Sequence, residues 1–307
     1  MSLAAPPVTA AQRRPRRGRL RRLTPYLMLA PAYAFLTVVL IYPAILNLWL
    51  SFWAWRYTDL STSRFIGLEN YQRLLFQDFQ FWDVLRFTVL FVISTVLLEF
   101  LLGLGCALLL YRIVFMRSLF TALALVPHQV APIAVGLIWR LLWSHDIGLV
   151  NLGLSAVGVA PISWLAGSDS AKVAVIVTEV WRGTPFVTIV LLAGLTSIPL
   201  DLLEAAHVDG ASAWRRFRHI ILPLLMPSAA VALMFETIFK LRVFDLIFTL
   251  TGGGPGRATM PLGILIYRTY FRYFEGGYSA ALSVILLLIG AVVSIFYIRL
   301  LYREGVY

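Results

Sequence analysis

What limits this chain most is the length of its apolar stretches. The runs at 26–52, 84–111, 119–143, 172–198, 228–250 and 278–301 carry few charges, and a helix needs about 20 predominantly apolar residues to span a bilayer. Continuous apolarity, as opposed to short alternating segments, excludes a transmembrane barrel. Composition agrees: 60% of the 307 residues are hydrophobic, 13% are charged and the mean hydropathy is +0.83, where a soluble domain carries about 25% charge. The expected fold is an all-α polytopic membrane protein with six transmembrane helices. One membrane domain, 25–303, follows a basic tail, 1–24, and contains a polar loop at 199–227.

Arginine placement predicts orientation. Seven arginines (Arg13, Arg14, Arg16, Arg17, Arg19, Arg21, Arg22) precede the first span; Arg112, Arg117, Arg215, Arg216, Arg218, Arg299 and Arg303 fall on the same side. Only Arg56, Arg64, Arg73, Arg257, Arg268 and Arg272 fall opposite. Positive charge stays on the cytoplasmic side, so both termini are expected there. The net charge of +11 is concentrated beside a span, which suits anionic lipid better than nucleic acid. The apolar run continues past Ala34 to Leu50, longer than a signal peptide requires, so an uncleaved first span is expected. Cys106, the single cysteine, is read as a small packing residue beside Gly103 and Gly105. The aromatic-rich stretch 53–82 admits two readings: an interfacial belt, or a lateral helix under a docked external partner.

The second constraining feature is the polar island 199–227. Pro199 ends the fourth run, and Asp201 with Glu204 three positions on predicts a helix cap. Leu202, Leu203, Ala205 and Ala206 follow, and Gly210 stops the helix. Ser212 predicts the cap of a second helix carrying Trp214, Phe217 and Ile220–Ile221 on one side, with Pro223 and Pro227 breaking it before the fifth run. Two short helices rich in alanine make a knob for a partner's cleft, or else an amphipathic hairpin on the inner leaflet. Physical reasoning alone leaves both open.

The pattern Glu204-Ala205-Ala206, then Gly210, then Ile220, Leu222 and Pro223 resembles the signature loop of permease subunits in binding-protein-dependent ATP-binding-cassette (ABC) importers. Trp181-Arg182-Gly183-Thr184-Pro185-Phe186, Phe244-Asp245-Leu246-Ile247, Leu250 to Pro255 and Phe65 to Tyr71 resemble its carbohydrate branch. The resemblance implies the type I ABC importer permease fold, with Glu204, Ala205, Ala206, Asp209, Gly210, Ser212 and Arg215 coupling to a cytoplasmic ATPase dimer. It further implies a second homologous permease subunit, an external solute-binding protein, a sugar substrate and a bacterial or archaeal inner membrane. No cofactor is expected on this chain; ATP and Mg belong to the ATPase.

Charges inside spans need a reason, because each costs several kcal/mol unless paired or wetted. Glu236 and Lys240 are spaced for one helix face, as are Arg242 and Asp245. They fit internal ion pairing, or else a hydrated substrate path. The candidate path residues are Glu179, Trp181, Arg182, Glu236, Phe239, Lys240, Phe244 and Asp245, with His128, Gln129, Trp139 and Arg140 beside them. Pro127 and Pro132 predict a broken third span, Gly183-Thr184-Pro185 a kink in the fourth, and Glu99 stands isolated in the second. Thr251–Arg257 lacks the Lys-Ser or Lys-Thr of a Walker A loop and reads as a flexible turn. The rival reading is an ion-coupled secondary transporter acting alone; a membrane-embedded enzyme lacks any catalytic constellation.

Overall fold

The computed structural model describes residues 18–303 except 57 and 114. The tail arginines Arg13, Arg14, Arg16 and Arg17 therefore lie outside the described residues, as do the side chains of Arg19, Arg21, Arg22 and Arg303. The chain divides into two compact units, 1–49 and 50–307. In the first, helix α1 (Gly18–Leu36) passes through a π turn, Thr37–Ile41, into α2 (Tyr42–Leu50). Tyr33, Phe35 and Val38 along it are exposed.

The second unit opens with an antiparallel ribbon, β1 (Trp53–Arg56) and β2 (Asp59–Phe65), with Trp53 opposite Phe65. Neither reading of this stretch foresaw strands. A helical turn α3 (Glu69–Gln72) follows, then α4 (Phe79–Arg112), capped by Asp78, whose carboxylate accepts from the Phe81 N–H. Next come α5 (Arg117–Gln129), α6 (Pro132–Leu142), α7 (Leu149–Ala156) and α8 (Ser168–Thr196). The short helices α9 (Leu200–Val208) and α10 (Ala213–Arg216) precede α11 (Leu222–Leu241), α12 (Asp245–Leu250), α13 (Leu262–Phe271) and α14 (Gly276–Arg303).

Among the described residues, five helices are long and apolar enough to cross a membrane: Met28–Leu50, Phe79–Arg112, Ser168–Thr196, Ala213–Leu241 and Gly276–Arg299. The pair α5 and α6 makes a sixth crossing if counted as one span; its halves meet at 89°. The break comes where expected. Pro132 disfavours helical geometry at the residue before it, and Val130 and Ala131 both turn to extended ψ values, 132° and 136°.

Helix α8 runs unbroken through Pro185, where a kink was expected. The second helix of the island does not stop at Pro223 or Pro227 either: Ala213–Leu241 is one span, with a π turn at Phe217–Ile221. Such a turn interrupts the regular α-type bonding just where Pro223 has no N–H to donate. The actual break comes later, at 242–244, so the predicted run 228–250 becomes α11 plus the separate α12. Cys106 is also not a packing residue, because its side chain is exposed.

Helix α4 shows how an apolar helix sorts its faces. Leu90, Ile93, Leu97 and Leu101 form one exposed stripe, whereas Phe91, Thr95, Glu99, Gly103 and Ala107 are buried. Both stripes follow the helical repeat, so the exposed apolar one suits lipid. The buried stripe packs along α8, the most extensive pairing in the fold. Small residues permit the approach: a Cβ on Gly103 would lie 2.7 Å from Val187 Cγ1, and one on Gly194 would lie 2.5 Å from Ser228 Oγ on α11.

Two apolar clusters result. One gathers Phe81, Phe91, Val96, Trp143, Val175, Leu241 and Leu246 towards the ribbon end. The other gathers Ala107, Val187, Leu191, Leu195, Leu225 and Ala232 towards the α9 end. On α4, α8 and α11 alike, the ionisable residues Glu99, Glu179, Glu236 and Lys240 fall in the interval between them.

Candidate functional site

That interval holds a buried ionic network. Lys240 Nζ, on α11, lies 2.6 Å from Glu179 Oε1 on α8, 2.9 Å from Glu236 Oε2 one turn back, and 3.0 Å from Glu99 Oε1 on α4. Arg182 adds a contact to Glu179 at 2.7 Å. Glu99 and Glu179 are 0% exposed, and Lys240 and Glu236 are 1% exposed. Room for the Glu99 carboxylate comes from Gly183, where a Cβ would overlap it. The isolated Glu99 of the sequence thus reaches across to a neighbour, and the i, i+4 pairing of Glu236 with Lys240 forms within a larger cluster. Arg242 and Asp245 form no ion pair among the described residues; the break at 242–244 puts them on different elements.

Hydrogen bonding within the network is uneven. The Lys240 ammonium donates to Glu179, and the Arg182 guanidinium donates to the same carboxylate. Glu99 and Glu236 sit at ion-pair distance without hydrogen-bond alignment, and neither oxygen of either group has a hydrogen-bond partner among the described residues.

Aromatic rings flank the charges. Phe186 stacks on His128 at 5.6 Å and meets Phe235 and Phe239 edge-on at 6.3 and 6.0 Å. Trp181, 42% exposed, contacts Trp139, which leads to Trp143 and Trp164. Phe239 is 39% exposed. Phe244, named with Phe239 in the sequence, belongs to a different column with Phe248 and Tyr267, and Asp245 is exposed at the start of α12. The expected path residues therefore separate into a buried charged set, a half-exposed aromatic edge and a pair beyond the end of α11. Arg140 is exposed on α6. The sequence reading undervalued Glu99, Gly183 and Phe235; the signal was spacing that puts Glu99 on the buried stripe of α4.

The island is the opposite case. Helix α9 starts at Leu200 with Pro199 preceding it and no side-chain cap, so Asp201 lies in the first turn and is not the cap that was expected. Its end is as predicted: Gly210 takes φ +76°, and the Ala211 N–H reaches back to the Ala206 carbonyl at 2.9 Å. Ser212 Oγ accepts from the Arg215 N–H at 3.3 Å, also as predicted. Arg216 fixes the corner by donating to the Ala211 carbonyl at 3.0 Å, with His207 Nδ1 at 2.8 Å from it. Leu203 packs on the second apolar cluster, while Glu204, Ala205, Asp209, Gly210, Ser212 and Arg215 are exposed and Ala206 is half-buried. Val208 is 87% and Trp214 67% exposed. No ion pair among the described residues involves Glu204, Asp209 or Arg215.

At the ribbon end a cavity of about 610 Å³ is lined by Trp55, Arg56, Asn70, Arg73, Glu275 and Tyr278 among others. Arg73 lies 2.8 Å from Glu275 and over the Tyr278 ring at 4.3 Å. The Thr251–Arg257 turn, expected to be flexible, carries bracing hydrogen bonds. Thr251 and Thr259 hydroxyls meet at 2.8 Å, Thr259 Oγ1 donates to the Gly254 carbonyl at 2.6 Å, and Arg268 donates to the Gly252 carbonyl at 2.6 Å.

Residues 99–303 match a family described as "binding-protein-dependent transport system inner membrane component". The chain is 40% identical over 274 residues to the trehalose/maltose transport system permease protein MalF of Thermococcus litoralis, covering 89% of this chain and 92% of the relative. It is 36% identical over 280 residues to the trehalose transport system permease protein SugA of Mycobacterium tuberculosis, covering 91% and 89%. It is equally 36% identical over 280 residues to the sulfoquinovosyl glycerol transport system permease protein SmoG of Agrobacterium fabrum, covering 91% of each. The fold matches a crystal structure of a bacterial ABC transporter that imports alginate, with TM-score 0.80 at 24% identity over 92% of this chain and 96% of that one.

Proposed function

Because this chain belongs to the inner-membrane components of binding-protein-dependent transport systems, a family of transport subunits and not of enzymes, we propose that it is a permease subunit of an ATP-driven sugar importer. Its cargo is a carbohydrate delivered by an external binding protein. The names of its relatives range from trehalose and maltose to sulfoquinovosyl glycerol, so they agree on a sugar and leave its identity open. A related alginate transporter is described in complex with a pentasaccharide-bound periplasmic protein, which supports the same partner here. In this reading the ribbon end with its polar cavity meets the binding protein, and both termini lie in the cytoplasm of a bacterial or archaeal cell.

The observation that carries the coupling role is the exposure of Glu204, Ala205, Asp209 and Gly210 on a corner that is internally stiff but unpaired outward. A surface with fixed geometry and unused charge suits a partner's cleft. Through α9 and the residues up to Arg215, closure of an ATPase dimer holding ATP and Mg is transmitted to the spans, and a second, homologous permease subunit completes the pore. Each partner acts by binding one state of the pore more tightly than the other. Substrate passes beside Trp181, Arg182 and Phe239, with Glu179, Glu236 and Lys240 behind them; Phe244 and Asp245 stand further along.

The test is sugar-stimulated ATP hydrolysis by the reconstituted complex with its binding protein, comparing Glu204→Lys with the unaltered chain. Loss of stimulation with the complex still assembled is expected. Transport that follows an ion gradient, unaffected by Glu204→Lys and independent of ATP, would instead establish the secondary transporter.

A further inference from the structure

The ionic network is out of balance. Three carboxylates face two cations, and both cations donate to the same carboxylate, Glu179. What is left over is acceptor capacity: the oxygens of Glu99 and Glu236 are all buried, Glu99 Oε1 and Glu236 Oε2 face the Lys240 ammonium at 3.0 and 2.9 Å without hydrogen-bond alignment, and none of the four has a hydrogen-bond partner among the described residues. Buried polar atoms are ordinarily satisfied, and an ionised carboxylate only accepts. The group that completes this site is therefore a hydrogen-bond donor that brings no negative charge.

The position of Glu99 is specific. It comes from a helix that supplies no other charge to the cluster, and Gly183 makes the space for its carboxylate. Gly183 adjoins Arg182 and follows Trp181 by two residues, the half-exposed edge of the proposed path. Resting on that reading of the path, we propose that Glu99 is a specificity-determining residue. With Glu236 it offers carboxylate oxygens to cargo hydroxyls as the helices part, and its charge keeps Lys240 and Arg182 from serving as an anion site. The substrate class this selects is an uncharged, polyhydroxylated sugar; uronates, sulfonated sugars and sugar phosphates are turned away.

The experiment is equilibrium binding of trehalose and of its 6-uronate, the same disaccharide with one hydroxymethyl group oxidised to a carboxylate, to the assembled transporter in lipid nanodiscs without binding protein. The unaltered complex binds trehalose in preference. Glu99→Gln keeps the shape, removes the charge and narrows that preference by about tenfold, as expected for one unit charge in a partly shielded interior. Gly183→Ala, which displaces the carboxylate without changing any charge, narrows it in the same direction. An unchanged ratio in both variants overturns the proposal, and so does an equal loss of both sugars, the mark of a purely structural role. A sodium requirement for trehalose binding that Glu99→Gln abolishes also overturns it, since the orphan oxygens would then hold an ion. Phe239→Ala separates this inference from the path itself. If it leaves trehalose affinity unaltered, the path reading falls; if it weakens trehalose while Glu99→Gln leaves the ratio unmoved, only the role of Glu99 falls.

Discussion

The buried network and the α9–α10 corner are both polar interruptions in an apolar chain, and they use charge in contrary ways. In the network every ionisable group lies within reach of an opposite charge from another turn or another helix. At the corner, Glu204 and Asp209 stand in the open with no ionic partner among the described residues. Burial accounts for the difference. A charge inside low dielectric must be paired, whereas one in water loses little by remaining free. Charges tied inward hold helices together; charges left outward are available to another protein.

The sharpest way to break this contrast is at its centre. Lys240→Met leaves three carboxylates without their ammonium, and removing one partner of a buried pair costs about 3–5 kcal/mol. The expected result is a large fall in the thermal unfolding temperature of the purified complex, with α4, α8 and α11 losing their common tie. At the corner, Gly210→Pro is expected to abolish sugar-stimulated ATP hydrolysis while leaving that temperature nearly unchanged. Proline cannot adopt φ +76°, nor donate the N–H that Gly210 gives to the His207 carbonyl. If the two variants exchanged phenotypes, the division of labour would be wrong. Ser212→Ala is the gentlest probe. Loss of an N-cap costs about 1 kcal/mol, so the corner frays slightly, coupling falls a few-fold, and binding of sugar at the network is unaffected.

Much of this was legible in the sequence, for reasons of scale. Apolar runs, the Pro132 break and the Gly210 and Ser212 signals are local, and local chemistry decides them. The network was only half legible. Glu236 and Lys240 share a helix, so their pairing follows from spacing. Glu99 and Gly183 lie far apart in sequence, and only packing of α4 on α8 shows that one residue's missing side chain is the other's seat. At α11 the proline rules assume regular α bonding, and the π turn before Pro223 had already suspended it, while Pro227 sits inside the helix without ending it. The ribbon at Trp53–Phe65 escaped because aromatic residues suit a membrane interface and a strand equally well.

That uninterrupted course has a mechanical meaning. Ala213–Leu241 spans 29 residues, about 43 Å at 1.5 Å per residue, with Trp214 exposed near one end and Lys240 near the other. A rod of that length converts a small angular nudge at its tip into a larger sideways sweep at the far end. The π turn sits near the Trp214 end and the charge cluster near the other. In the proposed coupling role, a partner on the corner would therefore have a direct handle on the bond that holds three helices together.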